Sequence, residues 1–166
     1  FHPGLIPFRM TVLTTERLRL TPIGEADFDD LKAFWTDPGF YRSLMPNALS
    51  GEEVWARLLR DVGCWALRGY GNWAMRLNDG GDFVGTIGVL DYQRDIAPPL
   101  DAPELGWGLS SRFQGKGLAY EAGQAVLDWC DHGLKAPRTV CIITPDNLTS
   151  LNLAARLGYT AYGETT

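Results

Sequence analysis

The sequence has few of the residues and segments that would place it in several large functional classes. No stretch approaches the roughly 20 apolar residues that a membrane-spanning helix needs. There are only two histidines and three cysteines, with no C-x-x-C pair, so we expect no metal centre. The net charge of −5 argues against nucleic-acid binding, which requires a basic surface. We therefore expect no membrane, nucleic-acid or metal partner.

The cysteines and the N-terminus indicate a cytoplasmic protein. Cys64, Cys130 and Cys141 are odd in number and widely spaced, which does not fit a disulfide framework. The first ten residues lack the charged start and the long apolar run of a signal peptide. With 166 residues the chain fits a single domain over 1–166, in which we expect residues 1–13 to be an N-terminal extension.

The hydrophobic periodicity predicts a mixed α/β domain with one sheet. Alternating Leu and Arg residues predict a strand over 15–23, and the turn sequence NDGGD predicts an antiparallel hairpin over 71–92. Ser50 followed by Glu53 is typical of a capping box that begins a helix. The remaining predicted elements are helices over 24–37, 51–68, 117–132 and 147–158, strands over 104–110, 138–144 and from 159 onward, and a loop over 37–49.

Two glycines stand where a predicted strand leads into a helix, in the sequence SSRFQGKGLAYEA (110–122). Gly115 and Gly117 would let the backbone approach a ligand closely, and Lys116 adds a positive charge. Unpaired N–H groups at a helix start, reinforced by the helix dipole, form an anion site. The pattern is neither a Walker P-loop nor a dinucleotide fingerprint, so by itself it fits a phosphate loop or a tight turn.

The wider sequence resembles the GCN5-related N-acetyltransferases (GNAT), and among them the RimJ-like branch that acts on ribosomal protein N-termini. The phosphate loop of that family, Gln/Arg-x-x-Gly-x-Gly/Ala, is matched by Gln114, Gly117 and Ala119. Further matches are TERLRLTP (15–22), FVGTIGV (83–89) and N-x-x-S before LGY (147–159). The resemblance implies a mostly antiparallel central sheet with a splayed parallel pair of strands, 104–110 and 138–144, flanked by about four helices.

The resemblance also implies that acetyl-coenzyme A is the acetyl donor. Its pyrophosphate would lie on the glycine loop and its pantetheine arm along the preceding strand. Asn147 and Ser150 would contact the coenzyme from the far side of the slot between the splayed strands. The other expected coenzyme contacts are Leu109, Ser110, Ser111, Arg112, Gln114, Gly115, Lys116, Gly117, Leu118 and Ala119.

Acetyl transfer needs a proton acceptor for the amine, for which Glu104 is our choice. The resemblance supports it, because Glu104 opens the strand at the spacing of a strand-borne glutamate in the family. The alternative is that Glu104 is a partly exposed residue at a strand edge. Asp91 is the reserve candidate. A backbone N–H near Gly108 or Leu109 would stabilise the oxyanion.

Proton donation to the departing thiolate is expected from Ser150. Many family members use a tyrosine on the last helix, but Ala154 stands at that position here. The RimJ-like branch suggests the Ser150 hydroxyl as the substitute. The alternative is an ordinary helix serine bonded to its own backbone.

The acceptor is expected to be a primary amine, either a protein N-terminal α-amine or a small-molecule amine, which attacks directly in a ternary complex. Trp35, Tyr41 and Trp107 are candidate acceptor contacts, and the protein is expected to be a monomer or homodimer. One alternative is a coenzyme A-binding sensor without activity, and another is a nucleotide-binding protein. The family ends in two antiparallel strands, so we hypothesise a truncated chain or a second strand supplied by a partner.

Overall fold

One antiparallel sheet organises residues 11–165, which are the residues that the computed structural model describes. Its strands follow chain order: β1 (Leu13–Thr14), β2 (Leu18–Pro22), β3 (Asn72–Leu77), β4 (Phe83–Leu90) and β5 (Glu104–Leu109). The α-helices of the described part are α1 (Phe28–Trp35), α2 (Pro38–Tyr41), α3 (Gly51–Arg68), α4 (Leu118–Trp129) and α5 (Leu148–Arg156). The predicted mixed α/β class is confirmed.

Helices cover both faces of the sheet. Successive strand residues point to opposite faces, and both sets include apolar side chains that need to be buried. Trp73 and Met75 of β3 join the larger core beneath α4, together with Val126 of that helix. Ala74 lies between them in sequence and packs on the opposite face, in a second cluster with α1 and α3. The sheet is therefore the middle layer of three, and both of its faces are buried.

Local sequence signals set the ends of several elements. The Ser50 hydroxyl accepts a hydrogen bond from the Glu53 N–H (3.1 Å), and Glu53 Oε1 accepts one from the Ser50 N–H (3.0 Å). This is the predicted capping box, and α3 begins at the next residue. The predicted hairpin over 71–92 is also present, as β3 and β4.

Two predicted strands do not form in the described chain. Residues 138–144 touch the sheet through one parallel bridge, between Val140 and Glu104. No other backbone hydrogen bond joins these described residues to β5, so the β-branched run forms no ladder. Residues 159–165 also form no strand, and all of them after Tyr159 are exposed, because no described strand lies beside them.

Three other boundaries differ from the prediction. The expected loop over 37–49 contains the short helix α2, whose signal is the Asp37-Pro38 pair: Asp37 is the N-cap and proline occupies the first turn. The helix expected over 117–132 ends at Trp129 and continues as a π-helical turn, Cys130–Leu134. Leu13 of the expected N-terminal extension belongs to β1, and residues 1–10 lie outside the described part.

Candidate active site

The outer edge of β5 opens into a slot. The Leu105 N–H donates to the Val140 carbonyl (2.7 Å) and the Val140 N–H donates to the Pro103 carbonyl (3.0 Å). Backbone groups of alternate residues point to the same edge of a strand, so the N–H groups of Trp107 and Leu109 also face this side. The pairing stops after Leu105 in the described structure, which leaves those N–H groups turned toward the slot.

The first turn of α5 forms the far wall of the slot. Asn147 is its N-cap, and its side-chain oxygen accepts a hydrogen bond from the Ser150 N–H (3.2 Å). The indole N–H of Trp107 reaches across from β5 and donates to the Ser150 hydroxyl oxygen (3.2 Å). The structure therefore brings Trp107, Ser150 and Asn147 together, as parts of one opening.

The glycine loop lies between β5 and α4. Gly115 and Gly117 both have left-handed backbone conformations (φ 75° and 76°), which glycine adopts without steric cost. The backbone N–H groups of residues 115–119 donate no hydrogen bond within the described chain. They stand at the start of α4, where the helix dipole adds partial positive charge. The loop therefore has the donors and the field that an anion requires.

A charged contact fixes the glycine loop to the start of β2. The Arg17 guanidinium donates to the Lys116 carbonyl (2.9 Å) and to Glu121 Oε1 (2.7 Å), and Thr15 donates to Glu121 Oε2 (2.5 Å). Burial alone would raise the pKa of Glu121, but the hydrogen bonds from Thr15 and Arg17 outweigh it and lower that pKa. Glu121 therefore stays ionised and holds the loop in place.

A second contact fixes the glycine loop to α2. The Asp37 carboxylate accepts hydrogen bonds from the Ser111 N–H (2.7 Å), the Ser111 hydroxyl (3.1 Å) and the Gly39 N–H (3.0 Å). These bonds, led by the one from the Ser111 backbone, lower the pKa of Asp37. The Gln114 amide donates to the Leu109 and Gly39 carbonyls. Ser111 and Gln114 thus join the loop to the segment that follows α1.

The remaining predicted coenzyme contacts differ in exposure. Arg112 and Lys116 are exposed, and Arg112 is ion-paired with Asp82 (2.9 Å). Leu118 is buried in the core beneath α4, so its side chain supports the loop and only its backbone can face a ligand. Ser110 and Ala119 are half-buried at the two ends of the loop.

Glu104 lies at the start of β5 and is buried, with 5% of its surface exposed. The alternative interpretation of a partly exposed edge residue is therefore wrong. Both carboxylate oxygens accept hydrogen bonds from Arg94 (2.6 and 3.0 Å), and both residues line a cavity of about 220 Å³ formed by residues 90–104. The reserve candidate, Asp91, is bound to Arg68 (2.8 Å), and that hydrogen bond lowers its pKa.

The three candidate acceptor contacts lie in different places. Trp35 ends α1 and lies under the guanidinium of Arg57, 4.5 Å from the ring centre. Tyr41 ends α2 and is half-buried. Trp107 faces α4 and α5, on the other side of the sheet from Trp35. The structure therefore does not bring these three aromatic residues into one site.

A buried polar group on α3 was missed by the sequence analysis. Asp61 is 6% exposed, and its Oδ1 accepts hydrogen bonds from the Tyr92 hydroxyl (2.7 Å) and the Asn72 amide (3.1 Å). Burial raises the pKa of Asp61. The three residues line a cavity of about 30 Å³ between α1, α3 and the sheet. The only signal in the sequence is an acidic residue on the apolar face of a predicted helix.

Residues 11–165 contain no group of three or more His, Cys, Asp or Glu side chains arranged to hold a metal ion. None of their helices combines the length and the apolar composition needed to cross a bilayer.

Comparison with known proteins places this site in a family. The sequence profile of the acetyltransferase (GNAT) domain matches residues 17–160. A GNAT-family acetyltransferase structure from Bordetella pertussis is 33% identical, with a TM-score of 0.81 over 92% of this chain and 90% of that one. The N-acetyltransferase p20 of Bacillus licheniformis is 28% identical over 93% of this chain and 85% of its own length.

Some of the similar proteins have a named acceptor. The [ribosomal protein uS5]-alanine N-acetyltransferase of Escherichia coli is 31% identical over 77 residues, which are 46% of this chain and 40% of that protein. The family match itself covers most of the sequence and includes β5, the glycine loop and α5. The chain therefore belongs to the acetyltransferase (GNAT) family of N-acetyltransferases, enzymes that take their acetyl group from acetyl-coenzyme A.

Proposed function

We propose that this protein is a RimJ-like cytoplasmic enzyme that transfers the acetyl group of acetyl-coenzyme A to the α-amine of a protein N-terminus. The observation that carries the proposal is the open edge of β5. This edge leads into a glycine loop at the start of α4, whose N–H groups donate no hydrogen bond within the described chain. The similarity to an enzyme named for ribosomal protein uS5 supports the choice of acceptor.

In this proposal the coenzyme lies along β5 and ends at α4. The N–H groups of residues 115–119 bind the pyrophosphate, with Lys116 nearby, because these five donors have no acceptor in the described chain and the helix dipole adds partial positive charge there. The pantetheine amides pair with the edge of β5, as an added strand would. Asn147 and Ser150 contact the coenzyme from α5. The Leu109 N–H, which faces the slot, stabilises the thioester oxyanion.

The amine attacks the thioester carbon directly, and the tetrahedral intermediate then expels the thiolate. We propose that the ammonium proton passes to Glu104 through a water molecule, because Arg94 occupies both carboxylate oxygens in the structure. Ser150 donates its hydroxyl proton to the leaving sulfur and regains a proton from the attacking nitrogen, which carries two protons in the tetrahedral intermediate. Trp107 already donates to the Ser150 oxygen, so the Ser150 hydrogen is available for the sulfur.

Thermal unfolding with acetyl-coenzyme A, free coenzyme A or ATP tests coenzyme binding. A ligand at 100 times its Kd stabilises the folded state by about 2.7 kcal/mol. We expect both forms of the coenzyme, and not ATP, to raise Tm in the wild type, and the Gly117→Trp variant to lose this effect. A shift with ATP alone would favour the nucleotide-binding alternative, and no shift with any ligand would contradict the proposal.

Turnover of N-terminal peptides separates an enzyme from a coenzyme A sensor. Glu104→Gln and Ser150→Ala should each lower kcat by about 10²–10⁴-fold while the Kd of acetyl-coenzyme A changes little. A wild-type protein that binds the coenzyme and acetylates no amine would be a sensor. The expected monomeric or homodimeric state is checked by light scattering on the same preparation.

A further inference from the structure

Three arginines gather on the face of the sheet that carries α1 and α3. Arg57 and Arg60 are one turn apart on α3, and Arg94 follows β4 in the loop before β5. Arg57 and Arg60 line the cavity next to Asp61, and Arg94 lines the cavity next to Glu104; Tyr92 lines both cavities. We call these three residues the arginine cluster.

Two members of the arginine cluster have no carboxylate partner within residues 11–165. Arg94 binds Glu104, whereas no described carboxylate oxygen forms an ion pair with Arg57 or Arg60. Their guanidinium groups lie instead over aromatic rings, Arg57 over Trp35 and Arg60 over Tyr92 (3.7 Å to the ring centre). Stacking of this kind leaves the N–H groups at the edge of a guanidinium available to donate hydrogen bonds to a carboxylate.

The arginine cluster can bind an added anion by direct contact with Arg57 and Arg60. Burial lowers the pKa of Arg57, and the nearby charge of Arg60 lowers it further. Both disfavour the charged form of the Arg57 guanidinium. The neighbouring Asp61 does not offset this charge by direct contact, because its Oδ1 receives the hydrogen bonds of Tyr92 and Asn72. Glu53 and Asp61 act on Arg57 at longer range, so within the described residues its guanidinium has nearby carboxylates but no ion pair with them.

The arginine cluster stands beside the part of β5 where the proposed chemistry takes place. Asn72 of β3, Gly88 of β4 and Gly106 of β5 are aligned across the sheet. Asn72 and Gly106 lie two strand spacings apart, so the distance between their backbones is about 9.5 Å. Gly88 and Gly106 have no side chains of their own on this face; the Asn72 side chain lies over Gly88, and a methyl group of Leu90 lies beside Gly106. An extended peptide of three residues spans about 10 Å, which is the same distance.

We infer that the acceptor is a peptide whose second or third residue is acidic, with its carboxylate bound by Arg57 and Arg60. This inference rests on the proposed function, because the N-terminal amine must lie at β5 for the distance to apply. A free amino acid is too short to reach both places, since its carboxylate lies only two bonds from the amine. Trp35 then contributes to acceptor recognition by holding the Arg57 guanidinium in place.

The test compares peptide acceptors that differ only in charge. Peptides beginning Ala-Asp-Ala and Ala-Ala-Asp are each paired with the matching Asn peptide, and free alanine is the short acceptor. We expect kcat/KM to be about 10- to 100-fold higher for at least one acidic peptide than for its Asn partner, because hydrogen bonds to charged groups are strong. The preference should weaken as salt is added.

Variants then assign the preference to the arginine cluster. Arg57→Gln and Arg60→Gln should each reduce the ratio of acidic to neutral kcat/KM, and the double variant should bring it near one. Arg57→Lys keeps the charge and should retain part of the ratio. Arg19→Gln, a change at an exposed arginine of β2, should leave the ratio unchanged. Activity with the Asn peptide should persist in all four single variants.

The outcomes separate this inference from the proposed function. Equal rates for acidic and neutral peptides, or a preference that survives the double variant, would overturn the acidic acceptor and leave the acetyltransferase reaction intact. A greater rate for free alanine would overturn it in favour of a small-molecule acceptor. Binding of acetyl-coenzyme A without acetylation of any peptide or amino acid would overturn both proposals.

Discussion

Asp37 should hold together the two segments that flank the proposed active site, so its loss should affect both stability and coenzyme binding. Its carboxylate caps α2 through the Gly39 N–H and binds the backbone and hydroxyl of Ser111. Loss of an N-cap costs about 0.5–2 kcal/mol, and a hydrogen bond to a charged group adds about 1.5 kcal/mol or more when it is buried. Asp37 is half-buried, so we expect Asp37→Ala to cost about 2 kcal/mol.

The assay measures unfolding and acetyl-coenzyme A binding on the same samples. For a protein of this size 2 kcal/mol corresponds to a fall in Tm of about 4–8 °C. The Ser111 backbone would also have to be repositioned when the coenzyme binds, and a cost of about 1 kcal/mol would raise Kd about fivefold. Asp29→Ala is the matched control, because the Asp29 side chain is 95% exposed and forms an exposed ion pair with Lys32.

The pH dependence gives a second measurement of the Asp37 contact. Its folded-state pKa is lowered, so its contribution is present above the unfolded-state pKa of about 3.9 and is lost as the pH falls through the folded-state value. The stability difference between wild type and Asp37→Asn should therefore shrink in acid. Unchanged Tm and Kd in Asp37→Ala at neutral pH would refute the reasoning.

Two further predictions concern packing and the anchor of the glycine loop. Gly108→Ala should destabilise the fold by about 1–3 kcal/mol in urea unfolding, because the new Cβ would lie 2.4 Å from a ring carbon of Phe40. Gly106→Ala, where the nearest atom is a flexible leucine methyl at 3.2 Å, should cost less; equal costs would contradict the packing argument. Glu121→Gln should lower Tm and weaken coenzyme A binding in calorimetry, because Arg17 loses its anionic partner; an unchanged Kd would show that the loop does not need this anchor.

The sequence predicted the elements whose signals are local. The Ser50–Glu53 capping box, the hairpin turn and the glycines before α4 each depend on residues a few positions apart, and each has the expected structure. The strand over 138–144 was predicted from its β-branched residues, but a strand also needs a partner. Whether Val140 pairs over one residue or six depends on the paths of two distant segments, which a local pattern does not contain.

The candidate site was predicted less completely than the fold, because its charges are paired over long distances. Glu104 was identified from its position on the strand, while its partner Arg94 lies in a proline-rich loop with no periodic signal. Asp61 meets Tyr92 across 31 positions of sequence, so its burial could not be read from α3 alone. Arg57 was not singled out from the sequence, because its position over Trp35 depends on the packing of α3 against α1.

The alternating orientation of residues along β5 explains how one short strand can contact both substrates in the proposed reaction. Trp107 and Leu109 direct their N–H groups to the open edge, where a pantetheine arm can pair with them. Gly108 faces α1 and α2, where Phe40 occupies the space above it, whereas the nearest atom to a Cβ at Gly106 belongs to Leu90. Only Gly106 therefore remains uncovered by an aromatic ring, next to Leu90 and one residue pair from Glu104. An acceptor chain that extends from the arginine cluster would cross β5 at this position on its way to the open edge, because side chains close the neighbouring ones.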